Sequence, residues 1–358
     1  MRRLAWIISI RVLLRYPASV FLAGYPLIQG DYGIHRVNLL QLGYTVSRTR
    51  GITNFEGRES NSGTNRGTKM VAVTYHAPTS LDEAVALLSS SELPAKVLAG
   101  GTDLIIQMQK LVTEQRLIVD LKKIDGMQSA TLSDEGLILG PSLCCAKLTR
   151  RDDIKAVFPG LVEAAYLIGS SQVQGRASVG GNLCNASPAA DTIPALIANR
   201  AVCQIVGKAG ERSVPVESFV VGVGKNCLES DEILKAIVIP HPGKATSDAY
   251  LRFIPRTEMD IAVASAGASI SLGSDGICTD ARVAIGAVAP TALVVEEAAQ
   301  KLIGQPINEA TLEAVSQAAS DASAPISDRR GTAEFRRHVV GVLAKRAVMA
   351  AADRAKEK

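Results

Sequence analysis

The sequence is short of aromatic residues, of histidine and of long apolar runs. Aromatics are 4% of its 358 residues, with one tryptophan, Trp6. No apolar stretch is long enough to cross a bilayer without meeting a charge, which excludes a transmembrane helix. The six cysteines (Cys144, Cys145, Cys184, Cys203, Cys227 and Cys278) form no C-x-x-C pair. The adjacent Cys144-Cys145 is ill suited to a disulfide or a metal clip, so free thiols in a reducing cytoplasm are expected. The four histidines (His35, His76, His241 and His338) are scattered, and no ligand spacing supports zinc or an iron–sulfur cluster. No metal site is therefore expected. No G-x-G-x-x-G follows a strand with an acidic residue downstream, which argues against a Rossmann NAD site. Gly222-Val223-Gly224-Lys225-Asn226 lacks the spacing of a P-loop and the Ser/Thr after Lys. No Ser-His-Asp or Cys-His arrangement stands out, and Ser178 before Val179-Gly180-Gly181 is not a nucleophile elbow.

The formal charge of +4 comes from the N-terminus. Residues 1–69 hold ten Lys/Arg against three Asp/Glu, leaving 29 against 32, a net of −3, for the rest. A mildly acidic body without a basic stripe does not fit nucleic acid. The opening Met1-Arg2-Arg3 resembles a signal peptide, but Arg11 and Arg15 interrupt its apolar part and no clear cleavage site follows. Gly51 to Lys69 is Gly, Asn, Ser, Thr and Arg with little apolar content and reads as disorder. Residues 1–69 are expected to be a non-native or disordered extension, with Met70 as the true start.

What remains is rich in Ala, Val, Gly and Ile, enough for two or three domains. Val71–Tyr75 alternates like a strand, and Ser80-Leu81-Asp82-Glu83 has capping-box spacing before a helix. Ala95–Ala99 is a short strand running into Gly100-Gly101, Leu104–Lys110 is helical in pattern, and Leu117–Leu121 is another strand. From Met127 the texture changes to short strands and the helices Leu148–Val157, Leu161–Ile168 and Ile193–Ala198, ending at Pro240-His241-Pro242-Gly243, a candidate boundary. Two long strands, Ile261–Leu272 and Ile277–Val288, flank the hairpin signal Gly273–Gly276. Helices follow over Leu293–Leu302 and from about Thr332, the last with Phe335, Val339, Val340, Leu343 and Ala347 on its apolar face and Arg336 outside it.

Chemistry is expected at two glycine turns after short β-rich segments: Ala99-Gly100-Gly101-Thr102-Asp103-Leu104 and Ser178-Val179-Gly180-Gly181-Asn182. A diphosphate concentrates negative charge and needs backbone N–H donors at close range, and glycine lets the backbone approach. Taken singly, a Gly-Gly pair is more often a plain tight turn.

Together with Ser187-Pro188-Ala189-Ala190-Asp191, Tyr75–Ala84, Glu232-Ile233-Leu234, Arg256–Ala262 and Glu334–His338, these turns resemble, in order, the flavin subunit of the xanthine dehydrogenase and carbon monoxide dehydrogenase family. The resemblance covers Met70 to about Ala352. It implies an α+β chain: a two-lobed FAD-binding domain of the PCMH or vanillyl-alcohol-oxidase type (70–126 and 127–243), then a carbon monoxide dehydrogenase flavoprotein C-terminal domain (248–354). It implies that Val97, Leu98, Ala99, Gly100, Gly101, Thr102, Asp103 and Leu104, with Ser178, Val179, Gly180, Gly181 and Asn182, wrap the diphosphate and ribityl parts of FAD. Asp191 matches an acidic FAD contact, the plain alternative being a helix N-cap. Leu234 matches an apolar flavin neighbour, or a core leucine. Ile168 falls where some relatives place an aromatic ring, and Arg252 where relatives place a flavin-proximal lysine, a change of geometry at constant charge. Asn182 runs to Ser187 without the cysteine-bearing insertion of hydroxybenzoyl-CoA-reducing relatives. The implied partners are a molybdenum-pterin large subunit and a [2Fe–2S] small subunit in a heterotrimer, itself open to dimerisation. The implied acceptor is NAD, a quinone or oxygen. No residue need then be catalytic, because the cofactor does the redox chemistry. The alternatives are a stand-alone FAD-dependent oxidase of the same fold, or a binding protein that has lost FAD.

The intact mass of the native protein is expected to exclude residues 1–69; a mass that includes them contradicts the Met70 start.

Overall fold

A computed structural model describes residues 44–49, 52–57, 73–110, 115–257 and 259–358. Three short strands, β3 (Val73–His76), β4 (Ala95–Leu98) and β5 (Arg116–Asp120), run parallel in the order β3-β5-β4. β5 is central, so Leu117, Ile118 and Val119 are buried. The helix α1 (Leu81–Ser90) starts where the sequence marks it: Ser80 Oγ accepts the Glu83 N–H at 3.1 Å. The Glu83 carboxylate accepts the N–H of Thr79, one residue further back than a strict capping box requires. Ala84, Val85 and Leu88 then face Leu117 and Val119 in a small core. Two further strands, β1 (Tyr44–Thr49) and β2 (Ile52–Gly57), extend this sheet, with Thr53 opposite Tyr75 and Asn54 opposite Thr74. β2 lies in the stretch whose composition reads as disorder. Edge pairing needs only backbone N–H and C=O groups, which composition does not report. The other expectations for residues 1–69 lie outside the described residues.

The second lobe is a five-stranded antiparallel sheet, β6 (Ala130–Ser133), β7 (Gly136–Leu139), β8 (Val202–Gly207), β9 (Gly210–Pro215) and β12 (Ile233–Pro240), ordered β6-β7-β12-β8-β9. Between β9 and β12 lies a small hairpin of β10 (Val220–Gly222) and β11 (Lys225–Asn226). This hairpin occupies the stretch that lacks P-loop spacing. Six helices pack as a cluster with the sheet: α2 (Cys145–Leu148), α3 (Asp152–Val157), α4 (Pro159–Tyr166), α5 (Ser171–Gln174), α6 (Val179–Cys184) and α7 (Thr192–Ala198). The single helix expected over Leu148–Val157 is broken. Arg151 leaves the helical region at φ −91°, ψ 92°, and its guanidinium binds Asp153 and the Ala130 carbonyl. Pro159 then opens α4 at its first turn, where a missing N–H costs nothing.

The last domain is an antiparallel sheet, β13 (Thr246–Phe253), β14 (Ala264–Leu272), β15 (Cys278–Gly286) and β16 (Leu293–Val294). The long helix α8 (Ala333–Lys356) lies against β13 and β14. The hairpin at Gly273–Gly276 forms as expected, with Gly276 at φ +77°. Small residues let the layers close: Ala264, Ala266 and Ala268 on β14 and Ala344, Ala347 and Ala351 on α8 share one core. Arg336 is not on the outer face. It is 4% exposed, donates to the Val263 carbonyl and pairs with Asp328 at 2.6 Å. Phe335 is the more exposed of the two and meets Phe253 edge-on at 5.7 Å between centroids.

The second lobe and the last domain are joined by buried polar contacts. Asp248 of β13 accepts the N–H groups of Gly160 and Leu161 at 3.0 and 3.1 Å and the Asn199 amide at 2.7 Å. Burial pushes its carboxyl pKa up against those three bonds. Arg354 near the end of α8 pairs with Glu163 of α4. Gly267 and Gly286 press against Pro194 of α7, leaving no room for a side chain. Asp248→Ala is expected to strand two buried backbone donors and to lower unfolding stability by about 2–4 kcal/mol. Denaturant unfolding of the full chain measures it, and a loss under about 0.5 kcal/mol contradicts the joint.

Candidate functional site

β4 is the edge strand of the first sheet and delivers the first glycine turn from its C-terminal end. Gly101 has φ +80°, the left-handed region that glycine tolerates, and its carbonyl accepts the Ile105 N–H as the helix Leu104–Lys110 begins. Gly100 is buried, and a Cβ there would stand 2.1 Å from the Arg176 carbonyl oxygen. Among the described residues, the N–H groups of Gly100, Gly101 and Thr102 donate to no protein acceptor. Gly100 is buried, and buried backbone donors are almost always paired; Gly101 and Thr102 are half-buried, so the three neighbouring N–H groups are left open to an acceptor from outside the chain.

The second turn is the N-terminus of α6. Ser178 caps it, its Oγ accepting the Gly181 N–H at 3.1 Å. The expected β-rich segment before it is instead the short helix α5, and only a single bridge, Cys144 to Ser178, is strand-like. A serine ahead of Val-Gly-Gly serves a cap as well as a strand end, and pattern alone does not separate them. A Cβ on Gly180 would come within 2.4 Å of Pro141 Cβ. A Cβ on Gly181 would be 2.9 Å from Ser178 Oγ and 3.9 Å from Ala99 Cβ, so the two turns face each other. Asn182 Oδ1 accepts both the N–H and the hydroxyl of Thr192, at 3.2 and 2.7 Å, tying α6 to α7. Gln107 and Asn185 bond across the two turns at 3.0 Å.

Between the turns opens a cleft of about 590 Å³. Of the residues singled out in the sequence, Val97, Ala99, Gly100, Gly101, Thr102, Asp103, Leu104, Ile168, Ser178, Gly180, Gly181, Asn182 and Leu234 line it. Leu98, Val179, Asp191 and Arg252 stand outside the lining. Leu98 pairs opposite Asp120 in the sheet, and Val179 is a core residue, 4% exposed. Asp191 follows the lining residues Ala189 and Ala190. Its side chain caps no helix; it pairs with Arg252 at 2.6 Å and accepts the Tyr250 hydroxyl at 2.8 Å. Burial pushes the Asp191 carboxyl up to about 6, against the pull of Arg252 and Tyr250. The carboxylate and the Arg252 guanidinium are each other's counter-charge. Arg252 Nε is buried without a hydrogen-bond partner.

Three residues of this region escaped the sequence reading. Tyr250 supplies the second bond to Asp191. Asp120, at the end of β5, accepts the Tyr75 hydroxyl at 2.6 Å and pairs with Lys122 at 2.6 Å. Lys122 in turn donates to the Ala99 carbonyl at 2.9 Å. An acidic residue closing an apolar strand was the available signal for Asp120.

Comparison with known proteins places the chain. Residues 69–242 match the family model described as the FAD binding domain in molybdopterin dehydrogenase, and residues 249–351 match the CO dehydrogenase flavoprotein C-terminal domain. The chain is 33% identical over 277 residues to the xanthine dehydrogenase FAD-binding subunit of Escherichia coli O157:H7, spanning 77% of this chain and 94% of that protein. It is 33% identical over 283 residues to the carbon monoxide dehydrogenase medium chain of Afipia carboxidovorans, spanning 79% and 97%. Its fold matches a chain of reconstituted CO dehydrogenase from Oligotropha carboxidovorans with a TM-score of 0.74, at 32% identity over 78% of this chain and 97% of that one. A chain of quinoline 2-oxidoreductase from Pseudomonas putida 86 matches with a TM-score of 0.73, at 27% identity over 80% and 99%. With the paired glycine turns, the cleft and both domains in place, the chain belongs to the family of FAD-binding subunits of xanthine and carbon monoxide dehydrogenases.

Proposed function

We propose that this chain is the electron-relay flavoprotein of a molybdenum hydroxylase. It holds FAD in the cleft, with the diphosphate against the two glycine turns. It works beside a molybdenum-pterin large subunit and a [2Fe–2S] small subunit. The observation that carries the reading is the row of open N–H donors at Gly100, Gly101 and Thr102, at a turn where Gly100 has no room for a side chain. Such a row suits a diphosphate, whose oxygens accept several N–H bonds at once.

The residues present fit the cofactor. Apolar Val97, Leu104, Ile168 and Leu234 on the cleft wall suit a flat ring system, and polar residues such as Thr102, Ser178, Asn182 and Asn226 give it hydrogen-bonding groups. Ser178 keeps the second turn in shape through its cap, and Asn182 fixes the approach of α7. Asp191 and Arg252 neutralise each other behind Ala189 and Ala190, so this wall presents no uncompensated buried charge. Bound FAD supplies the redox chemistry, receiving electrons from the partner's clusters and delivering them to NAD, a quinone or oxygen. The chain's own part is to bind, orient and shield, and no side chain is assigned an acid or base role. Relatives named as an FAD-binding subunit and as a medium chain support both the cofactor and the assembly.

Two outcomes are expected. Native purification should bring down a molybdenum-bearing subunit and a [2Fe–2S] subunit with this chain. A lone chain that oxidises purines or aldehydes unaided would support the stand-alone oxidase instead. Gly181→Ala places a methyl between the turns while meeting only the movable Ser178 hydroxyl closely. It should weaken FAD binding roughly tenfold or more while costing about 1 kcal/mol of stability or less. Flavin titration and denaturation of the same preparation separate the two effects.

A further inference from the structure

The diphosphate reading leaves a half-buried charged group unexplained. Lys122 follows β5, and its side chain is 20% exposed beside an Asp120 side chain that is 10% exposed. A lysine needed only to neutralise Asp120 has no reason to reach further. Its ammonium nevertheless makes a second bond, to the carbonyl of Ala99 at 2.9 Å. That carbonyl belongs to the peptide whose N–H is on Gly100, the first of the open donors. A trans peptide is planar, with its C=O and N–H on opposite sides, and no cis peptide occurs among the described residues. Fixing the Ala99 oxygen therefore fixes the Gly100 N–H in the opposite direction. It also keeps a carbonyl dipole, which would repel an anion, turned toward a cation.

We infer that Lys122 is the positioning residue of the first glycine turn, aiming the Gly100 N–H at the diphosphate by holding the Ala99 carbonyl from behind. The inference rests on the cleft being an FAD site. Asp120 and Tyr75 are the support of this device. The Asp120 carboxylate accepts from the Lys122 backbone N–H at 3.0 Å as well as from its ammonium, and the Tyr75 hydroxyl holds the other carboxylate oxygen. The Lys122 side chain thus has its stem and head both fixed before any ligand arrives. From the other side Arg176 supplies the wall: its carbonyl oxygen lies where a Gly100 side chain would be. The peptide is held at two points, one polar and one steric. Burial lowers the Lys122 pKa, Asp120 opposes that, and the like charge of Arg176 adds to it.

The test compares the parent full chain with Lys122→Met and Lys122→Arg, using FAD and riboflavin as probes, since riboflavin lacks the diphosphate. Lys122→Met is expected to weaken FAD binding about tenfold and to leave riboflavin binding unchanged. Lys122→Arg, which keeps a charged donor, should recover at least half of the loss in free energy. Should Lys122→Met fail to fold, Lys122→Gln is read by the same criteria. FAD affinity within twofold of the parent, or an equal loss for FAD and riboflavin, overturns the inference. A parent chain that binds riboflavin and FAD alike, or neither, overturns the diphosphate reading itself and is thereby told apart from a failure of Lys122.

Discussion

An anion as concentrated as a diphosphate, which the proposed function puts in the cleft, is well held where several backbone N–H groups converge without side chains between them. That requirement runs through the architecture. Gly100 lies against the Arg176 carbonyl and Gly180 against Pro141, each closer than any Cβ allows. The first turn belongs to the parallel sheet and the second to the helical cluster of the neighbouring lobe. The cleft therefore exists only while the two lobes are packed together, and Gly100 is what lets them approach at the first turn, while Gly180 lets the second turn close within its own lobe.

The last domain adds to this arrangement from a distance. Its strand β13 carries Asp248, which holds the N-terminus of α4, and also Tyr250 and Arg252, which hold Asp191. Alternate residues of one strand thus serve the helical cluster that bears the second turn. Pairing Arg252 with Asp191 solves the problem of two buried charges at once, and a buried pair is strongly disrupted by loss of either member. These residues of the C-terminal domain in this sense back the wall of the cleft from outside its lining.

Much of this was legible in the sequence because it is local. The strand-glycine-helix run from Ala95 to Lys110 follows from alternation, the Gly-Gly pair and helical spacing, and the hairpin at Gly273–Gly276 from its turn residues. Thirteen of the residues singled out for FAD line one cleft, although they come from four separated places in the chain. What composition and periodicity did not show is long-range. Asp191 reads locally as a cap, and its actual partners are 59 and 61 residues away. Arg336 reads as a surface charge on an amphipathic helix, whereas it is buried by a carbonyl and an aspartate brought in from elsewhere. Lys122 has no pattern at all, because its significance lies in a carbonyl 23 residues upstream. The strand β2 was hidden for a different reason: pairing through the backbone leaves little trace in side-chain composition.

On the proposed function, two facing glycine turns bind the diphosphate of one FAD. Titration of the flavin-free full chain with FAD, repeated in the presence of ADP, tests it most directly. Saturation is expected at about one FAD per chain, with ADP competing because it carries the same diphosphate. A well-folded chain that takes up no flavin, or whose FAD binding is indifferent to ADP, would contradict it.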